Sequence, residues 1–205
     1  MARDLPTLVA PEHTALVIVE CQRGVIGELA SLPALAEAAR GGLIPALAGL
    51  ARAARTAGVK VIHATAGHPP DKWGANTNAR LFGFTAKSAV QLIEGSDAVQ
   101  PVPELVGDGD LVLVRHHGLS PMTGTDLEPM MRNAGITTVV LAGVSLNIAI
   151  PNAAFDAVNA GYQVVIPRDG VVGTPESYGS DVLDHTLAFV ATLVTTSDLR
   201  SAWTV

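Results

Sequence analysis

Two segments of the chain place chemically active side chains directly after runs of apolar residues. Glu20 and Cys21 follow the first run, and Arg115, His116 and His117 follow a later one. A carboxyl group can transfer protons, and a histidine with an unperturbed pKa of about 6.5 can do so near neutral pH. Arg115 stays protonated in proteins, so it can bind an anion but cannot exchange protons. These residue types favour acid–base chemistry beside an anion-binding group.

The apolar runs that precede these residues are typical of strands in a parallel sheet covered on both faces. Predicted strands cover residues 14–20, 59–65, 110–115, 138–142 and 162–167. Predicted helices cover residues 32–57, 125–133, 147–159 and 180–194. Their alternation predicts a single α/β domain over residues 1–205, with a doubly wound, Rossmann-like, mostly parallel sheet and helices on both faces. Sites in such sheets lie at the carboxyl ends of strands, where Glu20, Arg115 and Val144 are expected, and Val144 is a candidate ligand contact.

Composition and charge exclude several classes of function. With 48% apolar and 16% charged residues, the 205-residue chain has the composition of a globular protein. A net charge of −6 disfavours nucleic-acid binding. No apolar run is long enough to cross a membrane, and the first residues contain no apolar leader segment, so we predict a cytoplasmic protein without a membrane partner. The single cysteine excludes an intrachain disulfide and a cysteine-cluster metal site.

Three separated segments, in a fixed order, carry a family resemblance. They read TALVIVECQ over 14–22, GDLVLVR over 109–115 followed by SPMTGTDL over 120–127, and GVSLNIA over 143–149 followed by DAVNAGYQVV over 156–165 and by Asp169. Together they resemble the isochorismatase-like cysteine hydrolases, in which these segments carry a catalytic Asp, Lys and Cys. Glu20, Arg115 and Ala149 stand at those positions here. The resemblance therefore implies the family fold without the thiol that forms an acyl-enzyme, because alanine has no nucleophilic atom.

The position that matches the family lysine has two candidates. Strand counting gives Arg115, whereas counting back four residues from Ser120 gives His116. His116 and His117 are therefore candidates for proton transfer in addition to Glu20. The alternative for either histidine is a solvated residue at the end of a strand.

The backbone of the 143–149 turn is a second part of the site that the resemblance implies. In relatives this turn contains a non-proline cis peptide, which here falls between Val144 and Ser145. The matching oxyanion donors are the N–H groups of Ser145 and Ala149, which require no particular side chain. The turn either still binds a polar group or is inherited without a use.

Other polar residues have simpler interpretations. Successive strand residues point to opposite faces, so Cys21 is expected to be a buried thiol, and its alternative role is a relocated nucleophile. Ser120 and Ser145 could replace the nucleophile, but capping and turn formation are the simpler roles, and both are also candidate ligand contacts. Trp73 and Asn76 are predicted to line the pocket from the long polar loop over residues 66–80.

A metal site is not expected, and neither is another cofactor. His63, His68 and Asp71 resemble the metal-binding residues of nicotinamidase-like members, but Gly67 stands where a ligand carboxylate is needed. A zinc site needs at least three converging protein ligands.

Two classes of function follow from these residues. The first is a cysteine-independent hydrolase of a small anionic, amide or vinyl-ether metabolite. In it Glu20 is the acid–base group and Arg115 binds substrate carboxylate, a design similar to the isochorismatases of phenazine-type pathways. Arg115 opposes an acid role of Glu20, because a nearby cation lowers a carboxyl pKa. The second class is a catalytically inactive binder of small molecules or a structural subunit. The resemblance also implies a homo-oligomer.

Overall fold

A parallel β-sheet forms the centre of the protein in a computed structural model that describes residues 4–204. Within those residues the sheet has seven strands: β1 (Thr14–Val19), β2 (Lys60–Ala66), β3 (Leu111–Arg115), β4 (Thr138–Val144), β5 (Gln163–Pro167), β6 (Val171–Val172) and β7 (Thr192–Val194). Five of them lie where the apolar runs predicted strands. The predicted domain spans residues 1–205, of which residues 1–3 and 205 lie outside the described part.

The order of the strands places a crevice beside β1. The strands lie in the order β3-β2-β1-β4-β5-β7, and β6 pairs with the end of β4. Every residue of β1 and β4 is buried, as expected for central strands of a sheet covered on both faces. The chain builds outward from β1 to β3 and then returns to the other side of β1. Binding sites of doubly wound sheets lie at such a reversal, outside the carboxyl ends of the strands.

Helices cover both faces of the sheet, which confirms the predicted fold class. The helices are α1 (Leu5–Leu8), α2 (Pro33–Ala38), α3 (Ile44–Ala57), α4 (Arg80–Thr85), α5 (Leu127–Asn133), α6 (Ala149–Asn159), α7 (Glu176–His185) and α8 (Thr196–Ala202). One core contains Leu16 and Ile18 of β1 with residues of α3 and α8. The opposite core contains Val17 and Val19 with residues of α5, α6 and α7. Alternate side chains of β1 therefore enter opposite cores. In the described part of the chain, no helix is long and apolar enough to cross a membrane.

One predicted helix is divided in the structure. The stretch 32–57 contains α2 and α3, joined by a π-helical turn over Ala39–Leu43 in which Gly42 leaves helical geometry. Gly58 ends α3 with a left-handed φ of 84°.

The last predicted helix, over residues 180–194, is confirmed as far as His185 and wrong beyond it. Helix α7 ends at His185, and Thr192–Val194 forms the edge strand β7 beside β5. The β-branched residues Thr192 and Val194 favour this extended conformation. Helix α8 begins two residues after β7, and a capping box stabilises its first turn. The Thr195 hydroxyl accepts a hydrogen bond from the Asp198 N–H, and the Asp198 carboxylate accepts one from the Thr195 N–H.

Candidate active site

A cavity of about 340 Å³ lies at the carboxyl ends of the central strands. Glu20 after β1, Arg115 at the end of β3, Ser145 after β4 and Ala149 at the start of α6 all line it. Residues of the segment 66–92, including α4, form another part of its wall. The structure thus brings these four predicted site residues together from up to 129 positions apart in the sequence, and Asn76, His116 and His117 line the same cavity.

Glu20 occupies a left-handed backbone conformation with a φ of 50°, which is uncommon for a residue other than glycine. Its N–H still donates to the Ala64 carbonyl at 2.8 Å, so the residue remains tied to β2. One carboxylate oxygen accepts a hydrogen bond from Arg115. Burial raises the pKa of Glu20 above its ordinary value, although the Arg115 guanidinium acts in the opposite direction. The carboxyl group is therefore held in one place, with a pKa above its ordinary value.

Of the two candidates for the family lysine position, Arg115 is the one that contacts Glu20. Its guanidinium donates to the Glu20 carboxylate and to the carbonyl of Gly118. Asn76 lines the cavity and accepts from the Gly118 N–H at 2.7 Å, so its side chain fixes the same loop from the other side. Arg115 has five N–H donors, and these contacts engage two of its nitrogen atoms, so its predicted binding of a substrate carboxylate stays a prediction.

His116 and His117 line the mouth of the cavity rather than contact Glu20. The Nε2 atom of His116 lies 3.3 Å from a carboxylate oxygen of Glu94, and both side chains are about half exposed. The His117 ring lies over Gly124, where an added Cβ would be 2.8 Å from the ring. Both histidines are exposed residues after the end of β3, which agrees with the simpler of their two predicted roles.

The turn after β4 supplies backbone donors to the cavity. The Val144–Ser145 peptide is cis, as predicted. The Ser145 carbonyl accepts from the Ile150 N–H at 3.0 Å, which joins the turn to α6. Among residues 4–204, no acceptor is within hydrogen-bonding geometry of the Ser145 or Ala149 N–H. Both residues line the cavity, and neither N–H is used within the described part of the chain.

Cys21 lies outside the cavity, on the other side of the strand end. It is 2% exposed and packs in the core beneath α3. Burial raises the pKa of its thiol far above the ordinary value, and the neighbouring Glu20 raises it further. The structure confirms that the Cys21 thiol is buried, as predicted. A relocated cysteine nucleophile is incompatible with this position.

Three of the predicted binding residues do not line the cavity. Val144 is fully buried in the core, and Trp73 is 81% exposed in the outer turn of its loop. Ser120 is buried and accepts a hydrogen bond from the Met122 N–H at 3.1 Å, so its hydroxyl shapes a turn. Lys72 of the polar loop also lines the cavity, and so do Leu81 and Phe82, which were not predicted from the sequence. The apolar residues that follow the polar loop were the available signal for the last two.

The histidines that resembled metal ligands are separated. His63 is 1% exposed on β2, and its Nε2 lies 2.8 Å from an Asp110 carboxylate oxygen. Asp110 also accepts from Arg55 of α3, so this group joins the sheet to a helix. His68 lines the cavity, and its Nδ1 lies 2.8 Å from the Pro69 carbonyl. Within residues 4–204, no group of three His, Cys, Asp or Glu side chains lies close enough together to hold a metal ion.

Comparison with known proteins gives a consistent result over nearly the whole chain. The Isochorismatase domain family matches residues 14–198. A crystal structure of an isochorismatase family protein from Desulfovibrio vulgaris superposes with a TM-score of 0.80 and 25% identity, over 93% of this chain and 97% of that one.

Two curated relatives cover most of the chain. A ureidoacrylate amidohydrolase of Methylorubrum extorquens is 25% identical over 187 residues, which are 82% of this chain and 73% of that protein. An Arabidopsis thaliana protein with the name "Probable inactive nicotinamidase" is 26% identical over 178 residues, which are 84% of this chain and 87% of that protein.

Proposed function

This chain belongs to the isochorismatase family, and from that membership we propose that it hydrolyses an amide bond of a small metabolite without a cysteine nucleophile. One observation carries the proposal. The Glu20 carboxyl group and the two available N–H donors of Ser145 and Ala149 line one cavity. An acid–base group and an oxyanion site are what a water molecule needs to attack a carbonyl carbon. The Ala149 methyl group leaves room for that water where relatives carry a thiol.

The proposed reaction uses Glu20 twice. Its carboxylate takes a proton from the water while the water oxygen bonds to the amide carbon. The carbonyl oxygen then carries negative charge and accepts hydrogen bonds from the Ser145 and Ala149 N–H groups. Glu20 next gives its proton to the amide nitrogen, the C–N bond breaks, and a carboxylic acid and an amine are released. Arg115 holds the carboxylate in position throughout and exchanges no proton.

Amides are better candidates than vinyl ethers for two reasons. Cleavage of a vinyl ether proceeds through a cation, so it creates no oxyanion that the Ser145 and Ala149 N–H groups could stabilise. Hydrolysis of an amide creates one. The Methylorubrum extorquens relative, which matches 82% of this chain, is also named as an amidohydrolase.

A second candidate function is a binder of small molecules that performs no reaction. The Glu20–Arg115 ion pair favours it, because the guanidinium opposes the uptake of a proton by the carboxylate, which the proposed reaction requires. A relative is named as an inactive nicotinamidase. In this function the cavity and its backbone donors bind a ligand, and Glu20 is structural. For both functions we keep the prediction of a cytoplasmic homo-oligomer with a small-molecule ligand.

A hydrolysis screen separates the two functions. Primary carboxamides, N-carbamoyl compounds and vinyl ethers are each incubated with the purified protein, and products are measured by mass spectrometry. We expect turnover in the carboxamide or N-carbamoyl group and none among the vinyl ethers. Saturable binding without any turnover supports the binder, and turnover confined to vinyl ethers contradicts the proposed reaction.

A further inference from the structure

We infer that the ligand of this cavity is an organic acid with an apolar body, whose anionic group binds to Lys72 and whose body packs against Leu81 and Phe82. The inference rests on the proposed function, because it names the class of substrate for the same cavity. It comes from the charges that line the cavity and from the apolar character of the wall.

The ionisable residues that line the cavity are predominantly basic. Glu20 is the one acidic residue among the lining residues, and the basic ones are His68, Lys72, Arg115, His116 and His117. Arg115 is neutralised by Glu20, and His116 is paired with Glu94. Within residues 4–204, no carboxylate lies within 4.0 Å of the Lys72 ammonium group. Lys72 is therefore a cation without a counterion at the cavity, and an anionic ligand would supply one.

The backbone holds Lys72 at this place in the loop. Its φ is 58°, a left-handed conformation that lysine rarely adopts. The Lys72 N–H donates to the Pro69 carbonyl at 2.9 Å, and its carbonyl accepts from the Ala75 N–H at 3.1 Å. The turn thus fixes the start of a side chain that is otherwise solvated. Neighbouring Asp71 uses a carboxylate oxygen to accept from the Trp73 N–H at 3.0 Å, which supports the same turn.

Most of the remaining wall is apolar. It includes Leu32, Leu35, Leu81, Phe82, Leu92 and Ile148. A cavity of about 340 Å³ is much larger than a simple anion such as acetate. A ligand that fills it must place apolar surface against these side chains and keep one charged group at Lys72. A further oxygen of the same ligand then accepts hydrogen bonds from the N–H groups of Ser145 and Ala149.

Three probes test this class directly: benzoate, its neutral isostere acetophenone, and acetate, which has the charge without the body. Their dissociation constants are measured by calorimetry at low salt with the full chain. The variants are Lys72→Met, Lys72→Arg and Phe82→Ala. Two nearby residues that do not line the cavity give matched controls, Lys87→Met for the charge and Phe84→Ala for the ring.

We expect benzoate to bind more tightly than acetophenone or acetate. Lys72→Met weakens benzoate about tenfold, because a hydrogen bond to a charged group is lost, and leaves acetophenone unchanged. Lys72→Arg retains benzoate binding, and Phe82→Ala weakens benzoate and acetophenone alike. Both control variants behave like the wild type.

The inference is overturned if benzoate does not bind, if acetophenone binds equally well, or if Lys72→Met has no effect on benzoate. These outcomes are separate from those of the hydrolysis screen. Benzoate binding that depends on Lys72, together with an absence of amide turnover, refutes the proposed reaction alone. Turnover of uncharged amides that survives Lys72→Met refutes the ligand class alone.

Discussion

Glu20→Gln is expected to lower the turnover of a hydrolysed amide by about 100- to 10,000-fold, the usual contribution of one acid–base group. Glutamine keeps the size of the side chain and an oxygen that can accept from Arg115, so the cavity should retain its shape. It cannot take a proton from water. Ligand binding should therefore change little, and kcat should carry the loss. Steady-state kinetics with a matched unfolding curve measure both quantities.

The wild type should show a corresponding dependence on pH. The proposed base is the ionised carboxylate, so turnover should fall as the pH drops through the raised pKa of Glu20. This acidic limb should be absent from any residual activity of Glu20→Gln. Glu94→Gln is the matched control, since Glu94 is half exposed and contacts His116 outside the reacting group. Full turnover in Glu20→Gln would remove Glu20 from the mechanism.

Gly143→Ala should produce the largest loss of stability among the substitutions considered, about 3 to 5 kcal/mol in the free energy of unfolding. An added Cβ would lie 2.3 Å from the Val19 carbonyl oxygen, 2.9 Å from the Val19 nitrogen and 3.0 Å from the Cys21 sulfur. Val19 and Gly143 are partners in the central β1–β4 pair, so neither strand can move aside without breaking hydrogen bonds. The φ of 108° at Gly143 adds further strain for alanine.

Gly161→Ala separates the two causes of that loss. Gly161 also has a positive φ, of 90°, but nothing lies within 4 Å of an added Cβ. Its substitution should cost only about 1 to 2 kcal/mol, from the backbone conformation alone. Urea denaturation of both variants gives the comparison. An equal loss in the two variants would show that the contact between Gly143 and β1 is unimportant.

The sequence was sufficient for the central strands because a strand buried on both faces has a nearly continuous apolar run. It also predicted that Glu20 and Arg115 would meet, since both follow strands whose carboxyl ends share one edge of the sheet. It failed for β7, which has three residues at the edge of the sheet. Pairing with β5, far away in the sequence, makes this segment a strand, and local periodicity contains no such information.

The rest of the site depends on contacts between distant segments. The Arg115 guanidinium is used by the Gly118 carbonyl as well as by Glu20, and Asn76 binds the same glycine. Spacing in the sequence cannot reveal these contacts. The same contacts hold the loop that brings Lys72 to the cavity. A cation in a polar loop has no distinguishing feature until the fold places it beside an apolar wall.

The central claim is that the reaction uses no thiol, and the turnover of Cys21→Ala tests it most directly. Cys21 is the one cysteine in the chain, and it is 2% exposed in the core. Alanine removes the thiol and adds no polar group there. With the best amide from the screen, kcat/KM should stay within about twofold of the wild type. A loss of turnover to the background rate in a variant that remains folded would contradict the account.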